Sequence, residues 1–420
     1  MRKVIAVLLL VGVGLAKAEG PKVTWGGTFY AYNFFWQNAD FDNNTSDGDM
    51  FWYMHGDLSA TADLGSGVMA RISAGTWGAF GQHPISGEGP DGTANGVHLM
   101  EAYLAMKNLF GTPLSLTIGK KHVLYGDGLV IFDGGEDGVT QVALNIATDM
   151  LSVDLFDYRL VENGAFAPYA EGMIGSGEPV MQDADLLGAY AMLKLAGFSI
   201  EPYFLMRKMP VAPDTTDAPT WMGARLSGQP IQGLSFAGEY AMMGGDNGRG
   251  TNYKGNAMLF KADYALPMGA TVGLGYFSFS GDDPNTEDNE LYEAALWNPF
   301  TNGFWQWWPG FGPAHLMQTA FGFALLAPFD LMTTNLNVIN AHLGYGFGDL
   351  SLRADLWMYK KNQVAEGVSD ALGNEISLLA VYNYMNAVSL GLAVGYWMPG
   401  DYFTGKDAML GGHAFIFKSF

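Results

Sequence analysis

The segment Gly405–Phe420, GKDAMLGGHAFIFKSF, decides the fold. It reads as a final β-strand that ends on an aromatic residue at the last position of the chain. A terminal strand is a sheet edge, and a sheet placed in lipid cannot leave the N–H and C=O groups of an edge unpaired. The last strand must therefore pair with the first, and the remaining sequence has to supply enough strands to complete the circle.

Working back from that strand, strand-like runs separated by Gly, Asn, Asp and Pro clusters begin near Val23 and continue to the end. They fall near 23–36, 50–63, 67–77, 97–107, 114–122, 138–147, 151–160, 186–195, 198–207, 220–228, 234–243, 255–265, 269–280, 333–346, 349–360, 374–385, 387–398 and 408–420. Their connections alternate in length. Long linkers at 37–49, 78–96, 123–137, 161–185, 208–219, 244–254, 281–332, 361–373 and 399–407 are separated by tight turns such as Ala196-Gly197 and Phe347-Gly348. This predicts an all-β chain: a transmembrane antiparallel β-barrel of the bacterial outer membrane, of about 18 strands, with long extracellular loops and short periplasmic turns. Residues 19–420 then allow about 22 residues per strand and connection, enough for a tilted crossing of 9–11 residues. A soluble β-solenoid would show a fixed repeat, and none is present.

Alternation within the strands agrees. Leu350, Leu352, Ala354, Leu356 and Met358 share one face, while Ser351, Arg353, Asp355 and Trp357 share the other. Met258 and Phe260 oppose Lys261 and Asp263 in the same way, and Met222 and Leu226 oppose Arg225. The apolar faces suit lipid and the charged faces a wet lumen. Tyr264, Tyr345, Tyr382, Tyr384 and Tyr396 fall near strand ends, where interfacial aromatic girdles belong.

At the other end of the chain, Arg2 and Lys3 precede the apolar run Val4–Leu15 and the small-residue site Ala16-Lys17-Ala18, the pattern of a secretory leader over residues 1–18. Beyond it no apolar run is long enough for a membrane helix. Without the three basic residues of that leader, 18 Lys+Arg face 42 Asp+Glu, a net charge of −24. So acidic a chain argues against nucleic acid as a partner. The absence of Cys excludes disulfides and thiol metal sites. No cofactor or metal is expected. The acidic loop Asp40–Asp49 is rich in oxygen ligands, but it lacks the Gly and terminal Glu spacing of an EF-hand.

In a barrel the inward charged face is the functional surface. The pore-lining candidates are Arg71, Glu101, Lys120, Lys121, Asp154, Glu201, Arg207, Arg225, Glu239, Lys261, Asp263, Arg353 and Asp355. Acids and bases are nearly balanced among them, so the negative excess resides in the loops. Arg353 with Asp355, and Lys261 with Asp263, stand two residues apart on one face and are placed to neutralise one another. The segment 281–332 is dense in aromatics, and Trp297, Trp305, Trp307 and Trp308 are candidates to stack on saccharide rings or to narrow the mouth. No catalytic spacing motif is present. His122 with Asp127 and Asp133 is the nearest constellation for an outer-membrane lipase or protease.

Glu101-Ala102-Tyr103-Leu104, followed by LSLTIGKKHVLYGDG at Leu114–Gly128, by Asp137-Gly138-Val139 and by the strand Leu151–Tyr158, resembles the alginate-export family of outer-membrane porins. Pro313–Asp330 and Gly395–Asp401 are similar to that family as well. Lys120 and Lys121 stand where the family's turn usually carries Arg and Gln. The resemblance implies an 18-stranded barrel around a polar channel. Phe420 likewise resembles the terminal aromatic that outer-membrane barrels present to the barrel-assembly machinery, with Lys418 in the usual position of a second aromatic. Alginate exporters guide a polyanion through an arginine-rich lumen. Here the bases are few and matched by acids, which favours passive diffusion of small polar solutes or saccharides over export of an acidic polysaccharide.

Overall fold

A computed structural model describes residues 21–80, 97–133, 138–161, 183–212, 215–297, 313–314, 316 and 334–420. Among them lie 18 antiparallel strands closed into a barrel. In chain order they are β1 Lys22–Gln37, β2 Asp49–Gly65, β3 Val68–Phe80, β4 His98–Met106, β5 Leu114–Lys121, β6 Val139–Ala147, β7 Leu151–Val161, β8 Ala184–Leu195 and β9 Phe198–Ala212. The second half comprises β10 Thr220–Ile231, β11 Leu234–Gly244, β12 Asn256–Ala265, β13 Ala270–Phe279, β14 Leu336–Phe347, β15 Leu350–Lys361, β16 Ala371–Tyr384, β17 Val388–Pro399 and β18 Met409–Ser419. Each of the expected strands is found, with ends shifted by a few residues. The largest extension is β9, which runs on to Ala212 and pairs there with the short segment Thr215–Asp217.

Closure is made as the last segment demands. β1 pairs with β2 on one side and with β18 on the other, from Thr28↔Ser419 to Gln37↔Leu410. Gly27 and Phe420 then exchange both backbone hydrogen bonds, each at 3.0 Å, so the terminal residue seals the seam. Gly27 is required there, because a Cβ would lie 2.5 Å from the Asp57 carbonyl oxygen of the neighbouring strand, and 2.7 Å from the Phe420 ring.

The two faces separate as the alternation predicts. Leu352, Leu356 and Met358 lie on the outer surface, whereas Asp355 and Trp357 are buried inside. Tyr264, Tyr345, Tyr382 and Tyr384 are exposed at the turn end, an interfacial girdle. Leu378, in the middle of β16, is 59% exposed and faces the centre of the apolar band. Leu378→Arg is expected to destabilise the folded barrel by about 2–4 kcal/mol, read by urea unfolding in lipid. A cost below about 1 kcal/mol would place this position outside the bilayer core.

Candidate functional site

The lumen is narrowed by its own connections. After β5 the chain turns inward as a small hairpin: Leu124 bridges Phe132, Tyr125 N–H donates to the Ile131 carbonyl at 3.2 Å, and Gly128 N–H donates to the Tyr125 carbonyl at 3.0 Å. Gly126 sits at this tip with φ +58°, and a Cβ there would meet Glu239 Oε2 at 2.7 Å. Leu129, Val130, Ile131 and Phe132 are buried. They are covered by part of the long connection after β13. Leu296-Trp297 runs parallel to Ile131-Phe132, Tyr292 Oη donates to the Leu129 carbonyl at 2.8 Å, and Leu296 N–H donates to the Val130 carbonyl at 3.1 Å. The indole N–H of Trp221, on the wall, donates to the Glu293 carbonyl at 2.7 Å.

The hairpin tip is pinned to a charged collar at mid-height. Register places Glu201, Arg225 and Glu239 directly opposite one another on β9, β10 and β11. Arg225 Nη1 lies 2.7 Å from Glu201 Oε1, and its Nε lies 2.9 Å from Asp127 Oδ2. Lys261 Nζ reaches Asp127 Oδ1 at 2.6 Å. The Asp127 backbone N–H donates to Glu239 Oε2 at 3.2 Å, and Tyr203 Oη donates to the other oxygen of Glu239 at 3.2 Å. Gly223 makes room for that phenol, since a Cβ would come within 2.5 Å of it. Tyr125 stacks on Tyr190 at 4.4 Å and on Phe156 at 5.4 Å, while Tyr190 donates to Glu201. Toward the turn end, an open recess of about 460 Å³, bordered by Lys194, Ser199, Glu201 and Ser227, leads up to the collar.

The remaining wall charges pair locally. Arg71 meets Glu101 at 2.5 Å, Arg207 meets Asp217 at 3.2 Å, and Arg353 meets Asp355 through two contacts at 2.8 and 2.7 Å. Lys121 lies 5.6 Å from the Tyr103 ring centre, and Asp154 accepts from Asn145 at 2.7 Å. Asp263 is not the partner of Lys261. It is engaged by His342 at 2.7 Å, while Lys261 turns to the hairpin.

Lys120 departs from the expected placement. It shares the outer face of β5 with the exposed Ile118, and its ammonium donates to the Leu99 carbonyl at 2.8 Å, so it does not line the pore. Two Lys in succession must face opposite sides of a strand, and only Lys121 is inward. His122 and Asp133 meet at the base of the hairpin at 3.3 Å, where Asp133 also accepts the Val123 N–H, but Asp127 is at the tip among cations. The three do not form a catalytic constellation. Trp297 has only its backbone described, and Trp305, Trp307 and Trp308 lie outside the described residues. Tyr125, Tyr190 and Tyr203 were absent from the sequence candidates. In Tyr125-Gly126-Asp127 the Gly between an aromatic and an acid is itself a turn signal.

A closed barrel with an apolar outer belt and an inserted, charge-pinned loop defines a membrane-spanning β-barrel of the porin type. No family model matches the sequence, and neither does any curated protein. Solved structures do. Acinetobacter baumannii OccAB1 superimposes with a TM-score of 0.60 at 13% identity, covering 97% of this chain and 99% of that one. Pseudomonas aeruginosa OpdK with vanillate gives 0.59 at 11% identity, over 94% and 98%. Pseudomonas aeruginosa OprD gives 0.56 at 14% identity, over 97% of each chain. The fold is thus that of OprD and Occ outer-membrane porins. These likenesses lend no support to the alginate-export resemblance.

Proposed function

We propose that the chain is a passive outer-membrane channel for small hydrophilic or charged solutes. The observation that carries this reading is the collar at mid-height, where an inserted loop narrows a lumen of paired charges beside an open recess. Alternating acids and bases on neighbouring strands, rather than one continuous basic stripe, favour small polar solutes over any single ion sign. Residues 1–18 as an export leader, and Phe420 as the segment read by the assembly machinery, belong to the same proposal. Its surface partner is the outer-membrane lipid.

Export of an acidic polysaccharide needs Lys120, Lys121, Arg207, Arg225, Lys261 and Arg353 to converge. Lys120 is on the outer face, and Arg207, Arg225, Lys261 and Arg353 each carry a carboxylate partner. The deciding measurement is single-channel conductance of the refolded protein in a planar bilayer, with polyuronate added to one side. Steady conductance with weak ion preference and no block is expected. Anion preference with block by the polyanion would replace this reading with export, and absence of conductance would refute a channel.

A further inference from the structure

A histidine on the lumen wall is held between two oxygens. Asp263, Gly273, His342, Asp355 and Ser377 lie on five successive strands, β12 to β16, as direct register partners: Asp263↔Gly273, Gly273↔His342, His342↔Asp355 and Asp355↔Ser377. The missing side chain at Gly273 leaves a gap that the imidazole crosses, since a Cβ there would lie 2.2 Å from the ring and 2.5 Å from Asp263 Oδ1. Through that gap His342 Nε2 reaches Asp263 Oδ1 at 2.7 Å, while Nδ1 lies 2.9 Å from Asn340 Oδ1. The His342 side chain is 10% exposed and that of Asp263 39%, so the carboxylate is the member that meets lumen water.

The polarity of these hydrogen bonds counts their protons. Asn340 Nδ2 is committed to two acceptors, Asp355 Oδ1 at 3.0 Å and the Leu356 carbonyl at 3.4 Å, and Asp355 is held in turn by Arg353. The amide therefore turns its oxygen, an acceptor only, toward His342 Nδ1, which must donate. Asp263 offers Nε2 a second acceptor. A neutral imidazole has a single N–H, so the contact between Nε2 and Oδ1 holds one proton beyond those of a neutral ring and a carboxylate. The carboxyl is the stronger acid of the two and is partly hydrated, which leaves that proton on the ring. The other charged groups facing the pair are Lys261 on β12, Arg353 and Asp355 on β15 and Glu375 on β16, whereas Thr271, Gly273 and Gly275 on the inward face of β13 carry no charge. Lys261 is engaged by Asp127 and Arg353 by Asp355, so His342 is the cation at Asp263.

We infer that His342 and Asp263 form a selectivity determinant of the lumen whose charge follows pH. With the extra proton the pair is neutral. Without it the pair carries one negative charge, and a lone pair on Nε2 faces the carboxylate at hydrogen-bond distance. That contact is repulsive, so Asp263 is released to lumen water, where it attracts cations and repels anions. Imidazole is the side chain whose charge changes closest to neutral pH, so the step is reached under mild conditions. The inference rests on the channel reading above.

The test is reversal potential of the full-length protein in a planar bilayer under a salt gradient, at about pH 5.5 and about pH 8.5. The cation-to-anion permeability ratio of the parent should be about twofold or more higher at the upper pH. His342→Asn, and independently Asp263→Asn, should remove most of that rise. Should His342→Asn fail to fold, Asp263→Asn, at a partly exposed position, still decides. Nitrogen NMR of protein labelled at histidine, at roughly pH 7, should show a ring with both nitrogens protonated whose signal disappears in His342→Asn. An equal pH response in the parent and in both variants, or a His342 ring with a single protonated nitrogen, would overturn the determinant. A barrel that does not conduct refutes the channel reading and the determinant with it, whereas a conducting barrel with an unchanged pH response refutes the determinant alone.

Discussion

Asp127→Asn is expected to loosen the inserted hairpin and turn the channel toward anions. Among the described residues, Asp127 is the one carboxylate that both Arg225 and Lys261 reach, at 2.9 and 2.6 Å, so its removal leaves the collar one positive charge richer. An amide cannot hold both cations, and the tip would then depend on its N–H to Glu239 and on the Tyr125 stack, worth about 0.5–1.5 kcal/mol. The anion-to-cation permeability ratio, read from reversal potential in a salt gradient, should rise several-fold, with larger and noisier single-channel steps. Asp263→Asn, which removes an acid held by His342 and away from the hairpin, should leave step size near that of the parent. Unchanged reversal potential in Asp127→Asn would mean that the collar does not set selectivity. The latch also has a defined pH window. Burial works against the charge of Asp127, yet Lys261 and Arg225 outweigh it and hold the carboxyl below the usual carboxylate range. A carboxyl depressed in the folded state stabilises at all pH above its unfolded value near 3.9 and loses that contribution only as pH falls through the depressed one. Mild acidification to pH 5 should therefore leave the loop in place.

The barrel was legible because its rules are local. Alternation with a period of two, as in Leu350–Tyr359, and turn residues such as Ala196-Gly197 appear in any single window of the sequence. Strand number and closure on Phe420 followed from those alone. Which lumen charges meet was only partly legible. Arg353 and Asp355 pair because they are two apart on one strand, a separation visible in the sequence. Lys261 and Asp263 have the same spacing but choose other partners, since the hairpin delivers Asp127 to Lys261 from a position 134 residues away. No periodic signal marks a loop that turns inward. The buried Leu129–Phe132 run was the available clue, because four apolar residues in a connection need a surface to cover them. Lys120 faces outward for a simpler reason: of two successive Lys only one can point into the lumen, and parity, not charge, decides which.

Arg225→Met is expected to cost more stability than any other single change in the collar. Arg225 is largely covered, with 16% of its side chain exposed, and Glu201 has 4%. Among the described residues, removing the guanidinium leaves Glu201 with the hydroxyl donors of Ser199 and Tyr190, and leaves Asp127 with Lys261 as its cation. Breaking a buried pair by deleting one partner typically costs about 3–5 kcal/mol, because the remaining charge stays in a poorly solvated place. Water in the adjoining recess should hold the loss to the lower part of that range. Glu201→Gln in the same chain removes the stranded charge and is expected to recover a substantial share, since the amide oxygen can accept from one of the two hydroxyls of Ser199 and Tyr190 while its NH2 donates to the other. The double-mutant cycle, measured by urea unfolding in lipid, isolates the pair from the rest of the collar. A coupling of about 2 kcal/mol would make the Arg225–Glu201 contact a structural brace that holds Arg225 in place for Asp127. A coupling below about 0.5 kcal/mol would mean that water screens the pair as at an exposed surface, leaving the loop to be held by Lys261 and the tyrosine stack.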